Sequence, residues 1–375
     1  MPRPDDYAVL VGIQEYPGAG FGALSGPVND VAYFERWLVD KNGGDVDPAH
    51  IVKLTTQKPA PAVPPDVFPP TRSEIETAIR KIVFNGAGIV QRPNGRLYLY
   101  FSGHGFSDFK EKSVHAAVYA ANAQPGISYS VCGTKVAQWC KRAAAFGEII
   151  LVMDCCRDVE LSKQLLPPPF DDIHDPALEK GVRLLEIYAV PYGHKAQERY
   201  FNDVQNQHGL LTYALVAALY GAPLEKSRAM GNKPVRSGHA LKDFMEGCWP
   251  DIAGDNGPEA PEFVLPTRLD IALSAAPPRA LPRRIRFAPP LAGQAALKVV
   301  DSGDQKEMVR IDLDTAAGSA LYHYAGAPAP LTRTFDGNAL EVELPPQMYE
   351  LVLEQGGAAP RNGIMPMVGD QDVKV

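Results

Sequence analysis

The alternation of apolar strands with amphipathic helices limits the fold of this chain more than any other feature of its sequence. Through residues 7–270, runs typical of buried strands (YAVLVGI, RLYLYFSG, EIILVMD) are separated by segments whose apolar residues recur at helical spacing. Strands that are apolar along their whole length are typical of parallel sheets with both faces covered. The sequence therefore predicts an α/β domain with a mostly parallel sheet flanked by helices on both faces.

The composition changes after this region. Residues 274–293 (SAAPPRALPRRIRFAPPLAG) are rich in proline and arginine, which is typical of a linker. Beyond them, short alternating segments such as MVRIDLD and LEVEL stand between glycine and proline turns. We therefore predict a main domain at residues 1–273, a linker at 274–293 and a small all-β sandwich at 285–375.

The charge and hydropathy of the chain argue against two classes of partner. The formal net charge is −7 and there is no basic run, so a general nucleic-acid binder is not expected. The N-terminal segment lacks the flanks of a secretory signal, and the longest apolar helical segment, GLLTYALVAALYG, is too short to span a bilayer. We expect a monomeric cytoplasmic protein without nucleic-acid or membrane partners.

The cysteines do not form a recognisable structural pattern. The chain has 5 of them, at positions 132, 140, 155, 156 and 248, and an odd number so unevenly spread does not favour a disulfide framework. No C-x-x-C or H-x-x-x-H pair is present, so we expect no zinc or other metal site. Most of these thiols are expected to be small buried hydrophobic groups.

One histidine and one cysteine stand where catalytic residues of an α/β protein gather. His104 and Cys156 each follow a predicted strand, and sites in such sheets lie beyond the carboxyl ends of the strands. A nucleophilic thiolate needs a base within hydrogen-bonding reach, and the N–H groups of Gly105 and Cys156 could stabilise an oxyanion. Each residue alone is more simply read as structural, but the pair favours a nucleophilic site.

Four stretches together resemble the caspase and metacaspase family of cysteine peptidases, which has the caspase–hemoglobinase fold. They are YAVLVGIQEYPG with LSGPVNDVAYFERWL, the histidine motif LYLYFSGHG, the cysteine motif IILVMDCCRD, and HGLLTYALVAALYG. The resemblance covers about residues 5–270 and leaves out the C-terminal β region. It implies that Cys156 is the nucleophile and His104 the base.

The adjacent residues Cys155 and Cys156 are expected to point in different directions. In a strand, residues two apart share a face, so Asp154 and Cys156 point together while Cys155 points the other way. We therefore expect Cys155 to lie in the packing.

Two aspartates are candidates for substrate selection. The segment VND, before a helical pattern, is most simply a helix start in which Asn29 or Asp30 caps free N–H groups. Resemblance to metacaspases implies instead that Asp30 and Asp154 line the pocket for the residue before the cut (S1). Two carboxylates there would select Arg or Lys.

The chain departs from the family pattern at two points. Metacaspases often need calcium, but Asn122 stands where the calcium-binding acidic cluster would have an aspartate, so we expect no cofactor and doubt a calcium requirement. The cysteine is followed by RDVE in place of an HSG-like turn.

A long proline-containing loop follows the cysteine strand. Resemblance implies that it is a processing segment, with Lys163, Lys180 and Arg183 as self-cleavage sites. A surface loop with solvated lysines explains it equally well.

The sequence thus predicts a cysteine endopeptidase that cuts protein or peptide substrates after Arg or Lys. By resemblance, it would be a regulated zymogen in bacterial stress, cell-death or defence signalling. The alternative is a catalytically inactive caspase-like scaffold that binds protein partners through its C-terminal β domain. Neither G-x-S-x-G nor a P-loop is present to support another hydrolase.

Overall fold

The protein is described by a computed structural model that covers residues 4–57, 61–109, 115–127, 129–160, 165–202, 204–227, 231–267, 269–356, 358–368 and 373–375. The chain divides into two compact units. Unit 1 comprises Met1–Phe201 and Gln205–Pro277, and unit 2 comprises Asn202–Val204 and Pro278–Val375. No helix in these described ranges is long and apolar enough to cross a membrane.

Unit 1 contains helices and strands in alternation. Its helices are α1 (Pro27–Val39), α2 (Arg72–Val83), α3 (Gly133–Arg142), α4 (Pro176–Glu179), α5 (Leu210–Gly221) and α6 (Gly238–Ala253). Its strands are β1 (Tyr7–Gly12), β2 (Ile51–Thr55), β3 (Arg96–Ser102), β4 (Gly105–Asp108), β5 (Ala117–Tyr119), β6 (Ser130–Cys132), β7 (Glu148–Asp154), β8 (Val159–Glu160), β9 (Arg183–Tyr188), β10 (Glu198–Phe201), β11 (Asn206–Gly209), β12 (Glu225–Ser227), β13 (Lys233–Ser237), β14 (Glu262–Val264) and β15 (Ala272–Ser274).

The main sheet of unit 1 has six strands in the order β14-β9-β7-β3-β1-β2. All neighbours pair in parallel except β14, which runs antiparallel to β9 at the edge. The predicted mostly parallel sheet is therefore confirmed. Its order also places β1, β3 and β7 side by side in the centre of the domain.

Helices cover both faces of this sheet, as the sequence predicts. On one face, Leu99 of β3 belongs to a core that includes Ile79 of α2 and Val136 of α3. On the other face, Tyr98 packs near Phe34 of α1. Because successive side chains of a strand point to opposite faces, an apolar run such as β3 supplies both cores at once.

The register of the central strands determines what meets at their carboxyl ends. Gly12 of β1 pairs with Ser102 of β3, and Ser102 pairs with Asp154 of β7. Residues that follow these three strands by the same number of positions therefore lie in a row along one edge of the sheet. A second, four-stranded sheet (β6-β5-β4-β8) begins at this edge, since β4 starts at Gly105.

Unit 2 is built from β-strands that enclose one core. They are β16 (Leu281–Arg286), β17 (Gln294–Asp301), β18 (Glu307–Asp314), β19 (Ser319–Tyr324), β20 (Leu331–Thr334), β21 (Ala339–Leu344), β22 (Tyr349–Gln355), β23 (Arg361–Met365) and β24 (Val373–Lys374). They form a sheet β21-β16-β24 and a sheet β20-β19-β18-β17-β22-β23. Side chains from both sheets, such as Val342 and Ile311, share the core, so unit 2 is a β-sandwich.

The prediction of a linker at residues 274–293 is wrong in part. Within residues 274–293, Leu281–Arg286 form β16, which pairs with β21, and the side chain of Ile285 is fully buried. Pro282 is tolerated because β24 pairs with β16 only at Ile285 and Arg286, so the strand has a single neighbour at the proline. The proline and arginine content concealed a strand whose inward residues alternate with charged outward ones.

Candidate active site

His104 follows β3 directly and is held by an aromatic frame. Its ring lies 5.2 Å from the rings of both Tyr16 and Phe21, and its backbone N–H donates to Tyr16 Oη at 2.8 Å. The ring atom Nε2 lies 2.9 Å from the carbonyl oxygen of Gly22. Since a carbonyl only accepts, this contact places the proton on Nε2 and leaves Nδ1 with a free lone pair. The imidazole thereby presents Nδ1 as its acceptor atom.

The glycines on either side of His104 are required by close packing. Gly103 has φ +153° and a Cβ there would lie 2.5 Å from Tyr16 Oη. A Cβ on Gly105 would lie 2.5 Å from Cys155 Sγ and 2.7 Å from the carbonyl oxygen of Ala117. The SGHG motif therefore lets the backbone approach both the aromatic frame and the cysteine turn.

The two cysteines occupy the different environments that strand alternation predicts. Cys155 is 1% exposed and packs against Gly105, and burial together with the neighbouring Cys156 raises its pKa well above the usual value. Cys156 is partly exposed, with Sγ 3.8 Å from the carbonyl oxygen of Ala196. Burial raises the pKa of Cys156 as well, so this conformation holds it as a thiol.

The ladder between β3 and β7 brings His104 and Cys156 to neighbouring positions. Each follows a paired residue, Ser102 or Asp154, by two positions, and Gly103 N–H continues the ladder to the carbonyl of Asp154 at 3.2 Å. Neighbouring strands lie about 4.8 Å apart, so both side chains start from adjacent points on the sheet edge. The imidazole of His104 and the thiol of Cys156 each donate a hydrogen bond to a loop carbonyl, that of Gly22 and that of Ala196 respectively.

Asp30 lies inside α1 and does not cap it, which corrects one interpretation of the VND segment. The helix begins at Pro27, with Gly26 at the N-cap and no side-chain cap. Asn29 Nδ2 donates instead to the carbonyls of Ser25 and Gln207, at 2.9 and 3.0 Å. Neither side chain therefore caps the helix.

The carboxyl group of Asp30 is 1% exposed and fully engaged. It is hydrogen-bonded to Ser102 Oγ (2.9 Å), His208 Nδ1 (2.8 Å) and Gly209 N (3.1 Å). Burial raises its pKa well above the ordinary value, and the charge of Glu198 adds to this.

Asp154, the last residue of β7, lies on the opposite side of Gly209. It is 5% exposed and accepts hydrogen bonds from Thr212 N at 3.0 Å and Thr212 Oγ at 2.5 Å. A Cβ on Gly209 would collide with its carboxylate, while the Gly209 N–H contacts Asp30. Burial, with the charge of Asp30 next, raises the pKa of Asp154 to about 7. The fold therefore brings the two predicted acids together around one glycine.

A third acid, Glu198 of β10, joins this pair and was not found from the sequence. Its carboxylate accepts from the backbone N–H groups of Ser25 (3.0 Å) and Gly26 (2.7 Å), at the N-terminus of α1. A Cβ on Gly26 would lie 2.9 Å from Glu198 Oε2 and 3.3 Å from Asp30 Oδ2. A helix N-terminus favours such a carboxylate, but no local motif around residue 198 signals it.

The RDVE turn after Cys156 is built around a buried arginine. Arg157 is fully buried, with Nη1 2.5 Å from Glu262 of β14 and 3.1 Å from the carbonyl of Val190. Its guanidinium lies 4.4 Å from the ring centre of Tyr188, and its backbone N–H donates to the carbonyl of His194 at 2.9 Å. The turn that carries Cys156 is thus tied to β9 and to the edge strand.

The predicted processing sites fall in different settings. Lys163 lies outside the described residues. Lys180 is exposed at the end of α4. Arg183 begins β9, pairs with Glu148 and donates to the carbonyl of Asp270 at 3.1 Å, so a peptidase would need this strand to open. All three remain predictions.

The region of the family's calcium cluster does not fit a calcium ion. Asn122 is 6% exposed, its Oδ1 accepts from Arg72 N at 3.2 Å, and its Nδ2 donates to the carbonyl of Asp66 at 3.1 Å. Within the described ranges, His, Cys, Asp and Glu side chains form no group of three or more that could hold a metal. Independence from calcium stays a prediction.

Comparison with known proteins identifies the first part of the chain. Residues 7–162 match the family model described as metacaspase, peptidase C14 domain, a stretch that includes His104 and Cys156. The match supports a caspase/metacaspase-like peptidase domain in this region, and with it cysteine endopeptidase activity on proteins or peptides.

Solved structures similar to the chain include two caspases. One is caspase-1 from Spodoptera frugiperda, with 10% identity and a TM-score of 0.42 over 73% of this chain and 91% of that chain. Another is described as pro-sf-caspase-1, with 11% identity and a TM-score of 0.37 over 70% of this chain and 92% of that chain. No curated protein matches the chain. The monomeric state, cytoplasmic location and lack of nucleic-acid and membrane partners stay predictions.

Proposed function

We propose that the protein cuts polypeptides after Arg or Lys with a Cys156–His104 dyad. The observation that carries this proposal is the group of three carboxyl side chains, Asp30, Asp154 and Glu198, packed around Gly26 and Gly209 beside the strand that delivers the cysteine. No Lys or Arg in the described ranges forms an ion pair with Asp30 or Asp154. A cationic substrate side chain would supply the missing charge.

The electrostatics of the acids support this specificity. Burial raises the pKa values of Asp30 and Asp154, and a neighbouring charge adds to this, Glu198 for Asp30 and Asp30 for Asp154, so a cation beside the two acids would stabilise their charged forms. A guanidinium can bind carboxylates in a bidentate manner, and an ammonium can bind them as a point charge. We therefore expect Arg to be preferred over Lys, and both over neutral or acidic residues.

The dyad would work through the free nitrogen of the imidazole. His104 Nδ1 takes the proton from Cys156 Sγ, and the thiolate adds to the scissile carbonyl carbon. The N–H groups of Gly105 and Cys156 are the proposed donors to the oxyanion. The C–N bond then breaks as the imidazolium protonates the leaving amine, and water hydrolyses the thioester with His104 again as base.

The hydrogen bonds of the free protein are consistent with a regulated enzyme. Cys156 Sγ contacts the Ala196 carbonyl and its pKa is raised, so productive thiolate formation requires the segment around Ala196 to move or a substrate to take its place. Zymogen control through the loop that contains Lys180, and a role in stress, cell-death or defence signalling, remain hypotheses carried by the family resemblance.

Fluorogenic peptides that differ only in the residue before the cut test this proposal. Purified protein, with and without calcium, should cleave peptides ending in Arg or Lys and leave those ending in Asp or Leu. Cys156→Ala should abolish cleavage, and Cys155→Ala, the matched control one residue away, should keep most of it. Activity retained in Cys156→Ala would refute the dyad, and a preference for Asp would refute the specificity. If an Arg-ending thiol-reactive probe leaves Cys156 unlabelled, the inactive scaffold is favoured instead.

A further inference from the structure

A polar cavity lies next to the group of Asp30, Asp154 and Glu198, the proposed acidic pocket, and has no role in the reaction described above. Its volume is about 380 Å³, within the range of small-ligand sites. It opens between the ends of β1 and β2, the N-terminus of α1 and the β10–β11 hairpin. Exposed side chains such as Ser25 and Tyr200 form its rim, and Gln14 and Thr56, each 3% exposed, form its floor.

The floor of this cavity contains a hydrogen-bond donor that nothing satisfies. Gln14 Nε2 is buried, and no acceptor among the described residues lies within hydrogen-bonding distance of it. The backbone N–H of Gln14 is used, since it donates to Thr56 Oγ1 at 3.1 Å. An unpaired buried amide is unfavourable, so its retention at the base of an open cavity points to a ligand with an acceptor oxygen.

The charges around the cavity restrict that ligand to a neutral group. Neither Lys nor Arg lines it, and the carboxylate of Glu198 is held at Ser25 N and Gly26 N on its border. An anion would therefore meet negative charge without compensation. A cation would find only the Glu198 carboxylate, whose two oxygens already accept from Ser25 N and Gly26 N.

A side-chain carboxamide fits these conditions best. Its oxygen can accept from Gln14 Nε2, and its NH₂ group can donate to Thr56 Oγ1, which as a hydroxyl oxygen has a second lone pair. The aliphatic part would pass Val28 on the way to the floor.

The position of the cavity relates it to the proposed cleavage site. Gln14 follows β1 by two residues, as His104 follows β3 and Cys156 follows β7, and the three strands are neighbours in register. At about 4.8 Å per strand, Gln14 lies about 10 Å from the cysteine along the sheet edge. An extended peptide covers that distance in about three residues.

We propose that this cavity is a subsite for a Gln or Asn side chain located about three residues from the scissile bond of the substrate. The proposal depends on the proposed endopeptidase function. It adds a second determinant to the cationic residue, because a substrate would be chosen by charge at the acids and by hydrogen bonding at Gln14.

Peptide pairs in which Gln is replaced by Met test the subsite on the unaltered protein. Each pair has Arg before the cut and varies one position, from four residues before the cut to four after it. Met has a similar length and lacks the amide. One neutral hydrogen bond predicts a preference of about three- to tenfold for Gln in kcat/KM at one position.

Variants of the protein then assign the preference to the cavity. Gln14→Met should remove it while unfolding at the same or a higher temperature, since a buried unsatisfied amide is replaced. Gln57→Met, an exposed residue on the same edge, is the matched control and should keep the preference. Equal cleavage of Gln and Met peptides at every position, or a preference that survives in Gln14→Met, would overturn the subsite and leave the peptidase intact.

Failure of the underlying function gives a different result. If the protein cleaves no Arg or Lys peptide at all, the endopeptidase proposal is overturned. The cavity is then judged by fluorescence-anisotropy titration of the same peptides, labelled with a dye, against the full chain. A Kd that is three- to tenfold lower for a Gln peptide supports the subsite, and equal values reject it.

Discussion

Charged side chains lie at the amino ends of strands β3 and β7 and also near their carboxyl ends, and the two groups have different partners. At the amino ends, Arg96 and Glu148 form a buried ion pair at 2.5 Å, each side chain 3% exposed, and Arg183 completes the group. Arg96 also donates to Tyr98 Oη at 2.9 Å. Every buried charge there has an opposite charge in contact, as expected of a structural cluster.

Near the carboxyl ends of the same strands, the buried acids have no Arg or Lys as an ion-pair partner among the described residues. Asp30 and Asp154 are equally buried, but their partners are hydroxyl groups, backbone N–H groups and His208, and the pKa values of both are raised. The acids at that position therefore support the proposed binding of a cationic substrate side chain. The contrast between the two ends can be tested by substitution.

The largest expected effect is at the amino ends. Glu148→Gln should lower the free energy of unfolding by about 3–5 kcal/mol, because Arg96 is left buried without its carboxylate. Chemical denaturation monitored by circular dichroism measures this. The residual folded enzyme should keep its preference for Arg. Glu246→Gln, in a surface pair with Lys242, should change stability by less than about 0.5 kcal/mol.

A substitution at the carboxyl ends should lower activity and leave stability intact, the reverse of Glu148→Gln. Asp154→Asn removes one carboxylate from the acidic pocket and should lower kcat/KM for an Arg peptide by about 10- to 100-fold, the usual value of a hydrogen bond to a charged group. The free energy of unfolding should stay the same or rise at neutral pH, since an uncompensated charge is lost. A large loss of stability with unchanged specificity would remove the distinction between the two ends.

The pH dependence of specificity should follow Asp154. Its pKa is raised to about 7 by burial, so it is protonated below that value and charged above it. The ratio of kcat/KM for Arg over Leu peptides should therefore rise by up to about tenfold between pH 6 and pH 8, because any effect of pH on the bond-breaking step is common to both peptides and cancels in the ratio. In Asp154→Asn the rise should be much smaller, because the acid whose pKa lies near 7 has been removed. A flat ratio in the wild type would contradict the assignment.

The free energy of unfolding should also depend on the titration of Asp154, but it should fall with rising pH where the specificity ratio rises. Because the folded protein holds the Asp154 proton that the unfolded chain releases near its ordinary pKa of 3.8, this group makes the free energy of unfolding fall as pH rises from about 4 to about 7. Asp154→Asn should remove that decrease. Denaturation of both proteins at matched pH values measures the difference.

The smallest expected effect is at Glu198. It is partly exposed and bound to the N-terminus of α1, so Glu198→Gln should lower kcat/KM for an Arg peptide by only a few-fold. Its effect on a Lys peptide should be no larger. An effect as large as that of Asp154→Asn would move Glu198 to the centre of the pocket.

The sequence by itself determined the elements and the candidate catalytic residues. Continuous apolar strands between amphipathic helices require a parallel sheet with both faces covered, and the two-residue period of a strand turns Cys155 inward and exposes Cys156. Both are local rules that depend only on neighbours in the chain. His104 and Cys156 could be chosen because each directly follows such a strand.

Only the tertiary structure decided how these residues are held. The Gly22 carbonyl that sets the imidazole proton, the Glu198 carboxylate on α1 and the unsatisfied amide of Gln14 all depend on contacts between distant segments. The same is true of β16, whose strand pairing outweighs a composition typical of a linker. Periodicity encodes which face of an element is buried, but it does not encode which distant backbone group or charge will lie against it, and that decides the chemistry of the site.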